Sequence, residues 1–220
     1  ELANIRFDKA ELRRMDQYVV ANGVIDYDHT RLVRLSSRVP GTVWRVEKQV
    51  GQSVKRGELL ALVESADVGQ AKADFLDAVV SYDLEQQTVL RLSGLDDAIS
   101  KRRLIEAEAE FRAAGIRRFN AQQKLINLGL SIRIEDVADL SVDELSSRIK
   151  FLGLPDDLVS SISAVTLSAN LIPVVSSIDG IVISREAVRG QRVEPTEPLF
   201  VVADVDVMWL RLNVRAEDVN

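Results

Sequence analysis

One segment of this chain occurs twice. Val39 to Ser65, VPGTVWRVEKQVGQSVKRGELLALVES, aligns without a gap with Ile178 to Asp204, IDGIVISREAVRGQRVEPTEPLFVVAD. Gly41 falls on Gly180, Val43 on Val182, Gly51 and Gln52 on Gly190 and Gln191, Val54 on Val193, Leu60 on Leu199 and Val63 on Val202. Each copy reads as strand, turn, strand. Val43 and Val46, or Ile181 and Ile183, supply an apolar face, Gly51 or Gly190 permits the turn, and Leu59 to Val63 or Leu199 to Val202 forms the second strand. One copy has too few strands to stand alone, so the two must face each other and close a small β-sandwich. Glycines Gly41, Gly51, Gly57, Gly180 and Gly190 are the structural turn residues of this scheme.

Whatever lies between the copies must therefore leave the sandwich and return to it. From Ala66 to Leu92 the pattern is helical: Ser65 suits an N-cap, Asp67 the first turn, and Val68, Phe75, Tyr82 and Val89 recur every seventh residue, with Ala71, Ala78 and Val79 between them. Ser93 to Asp97 breaks the pattern. A second helix from about Ala98 to Leu128 places Leu104, Ala107, Phe111, Ala114, Arg118, Ala121, Leu125 and Leu128 three and four apart, a coiled-coil seam with Arg118 its one polar member. Residues 66–97 hold seven acids and two bases, and residues 98–129 hold seven bases and three acids, which favours an antiparallel pair. At about 1.5 Å per residue such a hairpin projects roughly 40 to 48 Å.

A further stripe on the second helix, Ile105, Ala109, Ile116, Phe119, Ile126 and Leu130, calls for another partner. Ser141 to Glu144 forms a capping box for a short helix to Leu152, and Pro155 opens another to about Ile162; both are expected to pack against the hairpin base. Seven acids against three bases over 131–160 argue against a DNA-binding helix-turn-helix. At the edges, residues 16–38 read as two strands around a turn near Asp26 to His29, and Asp206 to Val219 as one more, too few to close a barrel. The fold class is α+β and multi-module. A split sandwich, which through Leu62 to Ser65 resembles the lipoyl/biotinyl-like fold, is expected to be interrupted by an antiparallel coiled-coil hairpin and flanked by partial β-barrel strands. The divisions are 1–37 (N-terminal segment and barrel strands), 38–65 (first sandwich half), 66–130 (hairpin), 131–175 (short helices and return strand), 176–204 (second half) and 205–220 (start of a truncated barrel).

Composition narrows the chemistry. There are 220 residues, 46% of them hydrophobic, enough for real cores, and a net charge of -6 that opposes nucleic acid as a partner. Cysteine is absent, which removes disulfides, thiolate nucleophiles and cysteine-ligated metal. No apolar run spans a bilayer, and the start at Glu1 reads as a processed or trimmed product. The run Leu62 to Ser65 is similar to the strand that precedes the acceptor lysine in lipoyl and biotinyl carriers, but Ala66, Asp67 and Val68 follow it. Lys72 lies several residues too late, and Asp204 stands at the matching end of the other half. A carrier is the alternative of another class, and it lacks its lysine. His29 is the only histidine, Met15 and Met208 are far apart, and no nucleophile elbow or phosphate loop is present, so neither a metal site, a cofactor nor an enzyme is expected.

Taken together, ANGVIDYD, RLVRLSSRVPGTV, GQSVKRGELLALVES, GQAKADFLDAV, AISKRRLIEAEAEFRAA, LINLGLS, DGIVISREAVRGQRVEPTEPLFVVAD and MWLRLNVRAEDV resemble the periplasmic adaptors, or HlyD-like membrane fusion proteins, of tripartite efflux pumps. The chain is most similar to the branch that serves resistance-nodulation-division pumps for heavy-metal cations. The resemblance implies a non-enzymatic adaptor, an inner-membrane transporter and an outer-membrane channel as partners, a homo-oligomeric ring (a hexamer in the family), and a periplasmic place at the inner membrane with an anchor on the full-length protein. It implies docking of the hairpin tip on the channel, where Arg91, Leu95, Ile99 and Ser100 occupy the neighbourhood of the family's arginine, leucine and serine. The tip loop is shorter than usual and lacks the glycine before Ala98, and Arg91 also reads as a solvated helix-end charge. Adaptors of type I protein secretion or drug efflux share the architecture, the secretion relatives with much longer coiled coils.

Overall fold

The computed structural model describes residues 9–12, 14, 18–94, 98–137, 140–155, 158–160 and 169–215, without the side chains of 98–100. In chain order the strands and helices are β1 (Asn22–Tyr27), a short 3-10 turn at His29–Arg31, β2 (Leu32–Ser36), β3 (Gly41–Val46), β4 (Ser53–Val54), β5 (Leu59–Glu64), α1 (Ala66–Ser93), α2 (Ala98–Asn127) and α3 (Val142–Lys150). They continue with β6 (Leu171–Val175), β7 (Gly180–Arg185), β8 (Arg192–Val193), β9 (Pro198–Ala203) and β10 (Met208–Asn213).

Two antiparallel sheets, ordered β6-β5-β3-β8 and β2-β9-β7-β4, form the sandwich. The two halves exchange their shortest strands: β4 of the first copy pairs with β7 of the second, and β8 of the second pairs with β3 of the first. The exchange repeats at the turns, where Gly51 N donates to Val182 O at 2.8 Å and Gly190 N donates to Val43 O at 2.8 Å. Register shifts sit at matching places too, between Val43 and Arg45 in one sheet and between Val182 and Ser184 in the other. Val43, Val54, Leu60, Val63, Val182, Val193, Leu199 and Val202, the apolar positions shared by the repeat, all lie in one buried core. Burial of these matched side chains is the term that holds the halves together, at about 1.5–3 kcal/mol for each fully buried aliphatic.

The repeat is longer than its sequence reading. Residues 32–36, placed with the flanking barrel strands of 1–37, are sandwich: β2 pairs with β9, as β6 pairs with β5 in the other sheet. Each strand ends in the same turn, in which Ser37 Oγ donates to Val39 O and Ser176 Oγ donates to Ile178 O, both at 2.6 Å. A strand on its own signals only that it is half-buried, and β2 and β1 both read that way; pairing decides which sheet owns it.

The glycines divide into two groups. Gly51, Gly57 and Gly190 have positive φ of 87°, 84° and 85° and make turns. Gly41 and Gly180 are not turn residues: they open β3 and β7, where an added Cβ would lie 2.4 Å from Glu64 O and 2.3 Å from Ala203 O. Close approach of a neighbouring strand excludes a side chain there.

β1 and β10 form a separate two-stranded ribbon, with Val24, Ile25, Leu210 and Leu212 exposed. Its two crossings into the sandwich are tied together by Asp204 N donating to Arg31 O at 3.1 Å and by an Arg31–Asp204 ion pair at 3.2 Å. Asp28 caps the 3-10 turn through Thr30 N at 2.8 Å, and these bonds, with the Thr30 hydroxyl foremost, hold its carboxyl below the usual range.

Candidate functional site

The hairpin is the candidate site. α1 is anchored by Val68, Ala71, Phe75, Ala78 and Val79, all buried, against Ala107, Ala114, Ala121 and Leu125 of α2. Buried alanines on both helices, Ala71 and Ala78 on one and Ala107, Ala114 and Ala121 on the other, let the axes approach and give the hairpin its seam. Midway, Tyr82 packs on Phe111 with centroids 4.8 Å apart, and the guanidinium of Arg118 lies 3.4 Å from the Tyr82 ring centroid. Arg118 thus fills the one polar position of the seam by cation–π stacking, while its buried Nε has no hydrogen-bond partner.

The opposite charges of the two helices meet at the base, where Lys124 Nζ lies 2.9 Å from Asp74 Oδ2. That bond, then one from Gln70, lowers the Asp74 pKa. Farther out, Arg102 pairs with Glu106 and Arg112 with Glu108 within α2 itself, so part of the complementarity read from the sequence is spent along one helix.

At the far end α1 closes at Ser93 and α2 opens at Ala98, which brings Arg91, Ile99 and Ser100 to one tip. Arg91 is exposed in the last turn of α1, with Nη2 donating a long 3.4 Å bond to Thr88 Oγ1. Ile99 and Ser100 sit in the first turn of α2; their side chains, and all of Leu95, lie outside the described residues.

The base departs from expectation in two ways. Ser65 precedes α1 with extended backbone but makes no side-chain cap bond, and its buried Oγ is unpartnered, because the chain arrives directly from β5. The short helix α3 forms with both halves of the capping box in place, yet it packs on α1, and Ile105, Ile116, Phe119 and Ile126 of α2 remain exposed. Of that stripe Leu130 is buried. The turn after Pro155 is present, with Leu158 N and Val159 N both donating to Pro155 O; residues 161–168 lie outside the described ones.

Among the described residues no group of three or more His, Cys, Asp or Glu is arranged to hold a metal ion. His29 packs edge-on against Trp209 at 5.8 Å. Lys72 is buried, at 1% exposure, and so is inaccessible to an acyl-transferring enzyme. No helix among the described residues is long and apolar enough to cross a membrane.

A sandwich split by a helical hairpin is the arrangement of a known family: the profile of the CzcB-like barrel-sandwich hybrid domain matches residues 31–204. The chain belongs to this family. The match begins at Arg31, in agreement with the membership of β2. Among its relatives, the cobalt-zinc-cadmium resistance protein CzcB of Cupriavidus metallidurans is 24% identical over 197 residues, which are 90% of this chain and 32% of that protein. The cation efflux system protein CzcB of an Alcaligenes strain is 23% identical over 205 residues. The chain spans about a third of the length of these curated relatives. Among solved structures, ZneB of Cupriavidus metallidurans superposes with a TM-score of 0.58 at 23% identity, over 91% of this chain and 74% of that one. A MacA–MexA chimera carrying the Pseudomonas aeruginosa MexA α-hairpin gives 0.52 at 23% identity, over 91% and 56%. These likenesses establish the same fold for the sandwich and hairpin.

Proposed function

We propose that this chain is the sandwich-and-hairpin part of a periplasmic adaptor that joins an inner-membrane pump of the resistance-nodulation-division type to an outer-membrane channel, for export of heavy-metal cations. The observation that carries this reading is the family match across 31–204, on a fold whose 28- and 30-residue helices leave the sandwich as one projecting arm. The names of the relatives, cobalt-zinc-cadmium resistance and cation efflux, support the cargo class. The protein acts by binding, without catalysis, as a homo-oligomeric ring, six-fold in the family pattern, at the periplasmic face of the inner membrane. Arg91, Leu95, Ile99 and Ser100 at the tip meet the channel. The β1–β10 ribbon, whose apolar residues are exposed, is the start of a barrel that further strands complete.

The test is growth and cellular metal content of a strain lacking the full-length gene, across zinc, copper, nickel, cobalt, cadmium and a panel of dyes and antibiotics. Hypersensitivity to one metal with raised content of it is the expected result. Unchanged metal tolerance with new drug sensitivity, or with a lost secreted protein, overturns the cation assignment in favour of a drug-efflux or type I secretion adaptor.

A further inference from the structure

Lys72, out of place for an acceptor lysine, has no part in the adaptor reading given so far. It lies within the first two turns of α1, fully buried, and its Nζ donates to two backbone carbonyls: Lys150 O at 3.0 Å and Leu171 O at 3.3 Å. Lys150 is the last residue of α3 and Leu171 the first of β6. One ammonium therefore bonds the hairpin to α3 and to the sandwich at once. Neither partner is a carboxylate, and burial alone pushes its pKa down to about 8. A cation held in this way is costly, and a methionine or leucine would fill the same space without that cost. Its position at the C-terminal end of α3, where the carbonyls lack helical partners and the dipole is negative, is the compensation.

Two further contacts lie on the same face of α1, at the three- and four-residue spacing that stacks side chains along a helix. Ser65 N donates to Asn170 O at 2.9 Å. A Cβ on Gly69 would lie 1.9 Å from Asn170 Oδ1, so the strand entry presses directly on the helix there. Ser65, Gly69 and Lys72 together seat α1 on Asn170 and Leu171.

We propose that Lys72 is the latch of a rigid joint, fixing the angle of the hairpin on the sandwich and clamping the α3 segment to both, so that hairpin, α3 and sandwich turn as one lever. A push at the tip is then delivered to the sandwich and does not dissipate as bending at the hairpin base. Flexion is displaced to the crossings between the sandwich and the β1–β10 ribbon, which rest on the partly exposed Arg31–Asp204 ion pair, the bond from Asp204 N to Arg31 O and the His29–Trp209 ring contact.

The joint is tested on the full chain, which has no native cysteine, by spin labels at Arg102→Cys on α2 and Lys55→Cys on a sandwich turn. Pulsed dipolar distances are measured with Lys72 and with Lys72→Met, and amide hydrogen exchange is followed across residues 142–154. The expected result is one narrow distance distribution with Lys72, a clearly broadened one with Lys72→Met, and exchange in α3 faster by about tenfold or more, while exchange in β3 and β7 stays unchanged. If Lys72→Met does not fold, Lys72→Leu, which also removes the donor, is read by the same criteria. An unchanged distance distribution and unchanged α3 exchange in a folded variant overturn the latch. These readouts do not depend on cargo or partners. Loss of the metal-efflux reading in cells would leave the joint standing, and loss of the joint would leave that reading intact.

Discussion

Lys72→Met has a second consequence, in the pH dependence of stability, whose size follows from the structure. Burial lowers the lysine from 10.5 to about 8, a shift worth about 3 kcal/mol held against the folded state while the group is charged. Below pH 8 the group is protonated both folded and unfolded, and that cost is present in full. Between about 8 and 10.5 the unfolded chain binds the extra proton, so stability from this residue rises with pH through that window. Methionine removes the cost but strands the carbonyls of Lys150 and Leu171, at about 1–3 kcal/mol each. The two effects oppose each other at neutral pH, and they cancel when each carbonyl costs about 1.5 kcal/mol, near the low end of that range. In urea unfolding of the 220-residue chain the variant is thus expected within about 1 kcal/mol of the parent at pH 7, and less stable than the parent by about 2 kcal/mol more at pH 10 than at pH 7. A difference between parent and variant that does not change between the two pH values refutes the reasoning, because it means the lysine titrates as a solvated one.

Other expectations are independent of Lys72. Gly41→Ala and Gly180→Ala each drive a methyl into a strand carbonyl, and each is expected to cost about 2–3 kcal/mol in urea unfolding, nearly equal because the repeat gives them the same surroundings. Gly51→Ala meets open space and strains only its positive φ, at about 1–2 kcal/mol. Arg118→Leu removes a buried Nε without a hydrogen bond and is expected to raise the thermal midpoint of the hairpin by circular dichroism; a marked fall would show that the stacking on Tyr82 outweighs the desolvation. Arg91→Glu at the tip is expected to abolish cross-linking to the outer-membrane channel with no change in thermal midpoint, and retained cross-linking would remove Arg91 from the docking surface. Phe119→Ser, on the exposed face of α2, is expected to change the stability of the isolated chain by no more than about 0.5 kcal/mol.

Much of the fold was legible because local burial has a period. Heptad spacing in α1 and α2 and the doubled strand-turn-strand segments report which side of an element is buried, the capping box at Ser141 reports where a helix starts, and the structure carries all of them. The candidate site was legible only as a place, a hairpin tip near Arg91, Ile99 and Ser100. The extent of the repeat was partly concealed, although Leu32, Val33 and Ser37 stand at the same offset from Leu171, Ile172 and Ser176 as the aligned glycines do. That offset was the signal that would have placed β2 in the sandwich.

By itself, then, the sequence determined that two half-sandwiches must meet around a coiled-coil hairpin, because neither half can bury its apolar face alone. Tertiary structure decided what periodicity does not encode, namely which partner covers each face. It exchanged β4 and β8 between the halves, turned α3 onto α1 and not onto the stripe of α2, and drew Lys72 out of water to the ends of α3 and β6. A lysine on a helix reads as a solvated charge until chain segments distant in sequence present carbonyls to it. The physical reason is that burial is a sum over neighbours, and the carbonyls that hold residue 72 are 78 and 99 positions away in the chain.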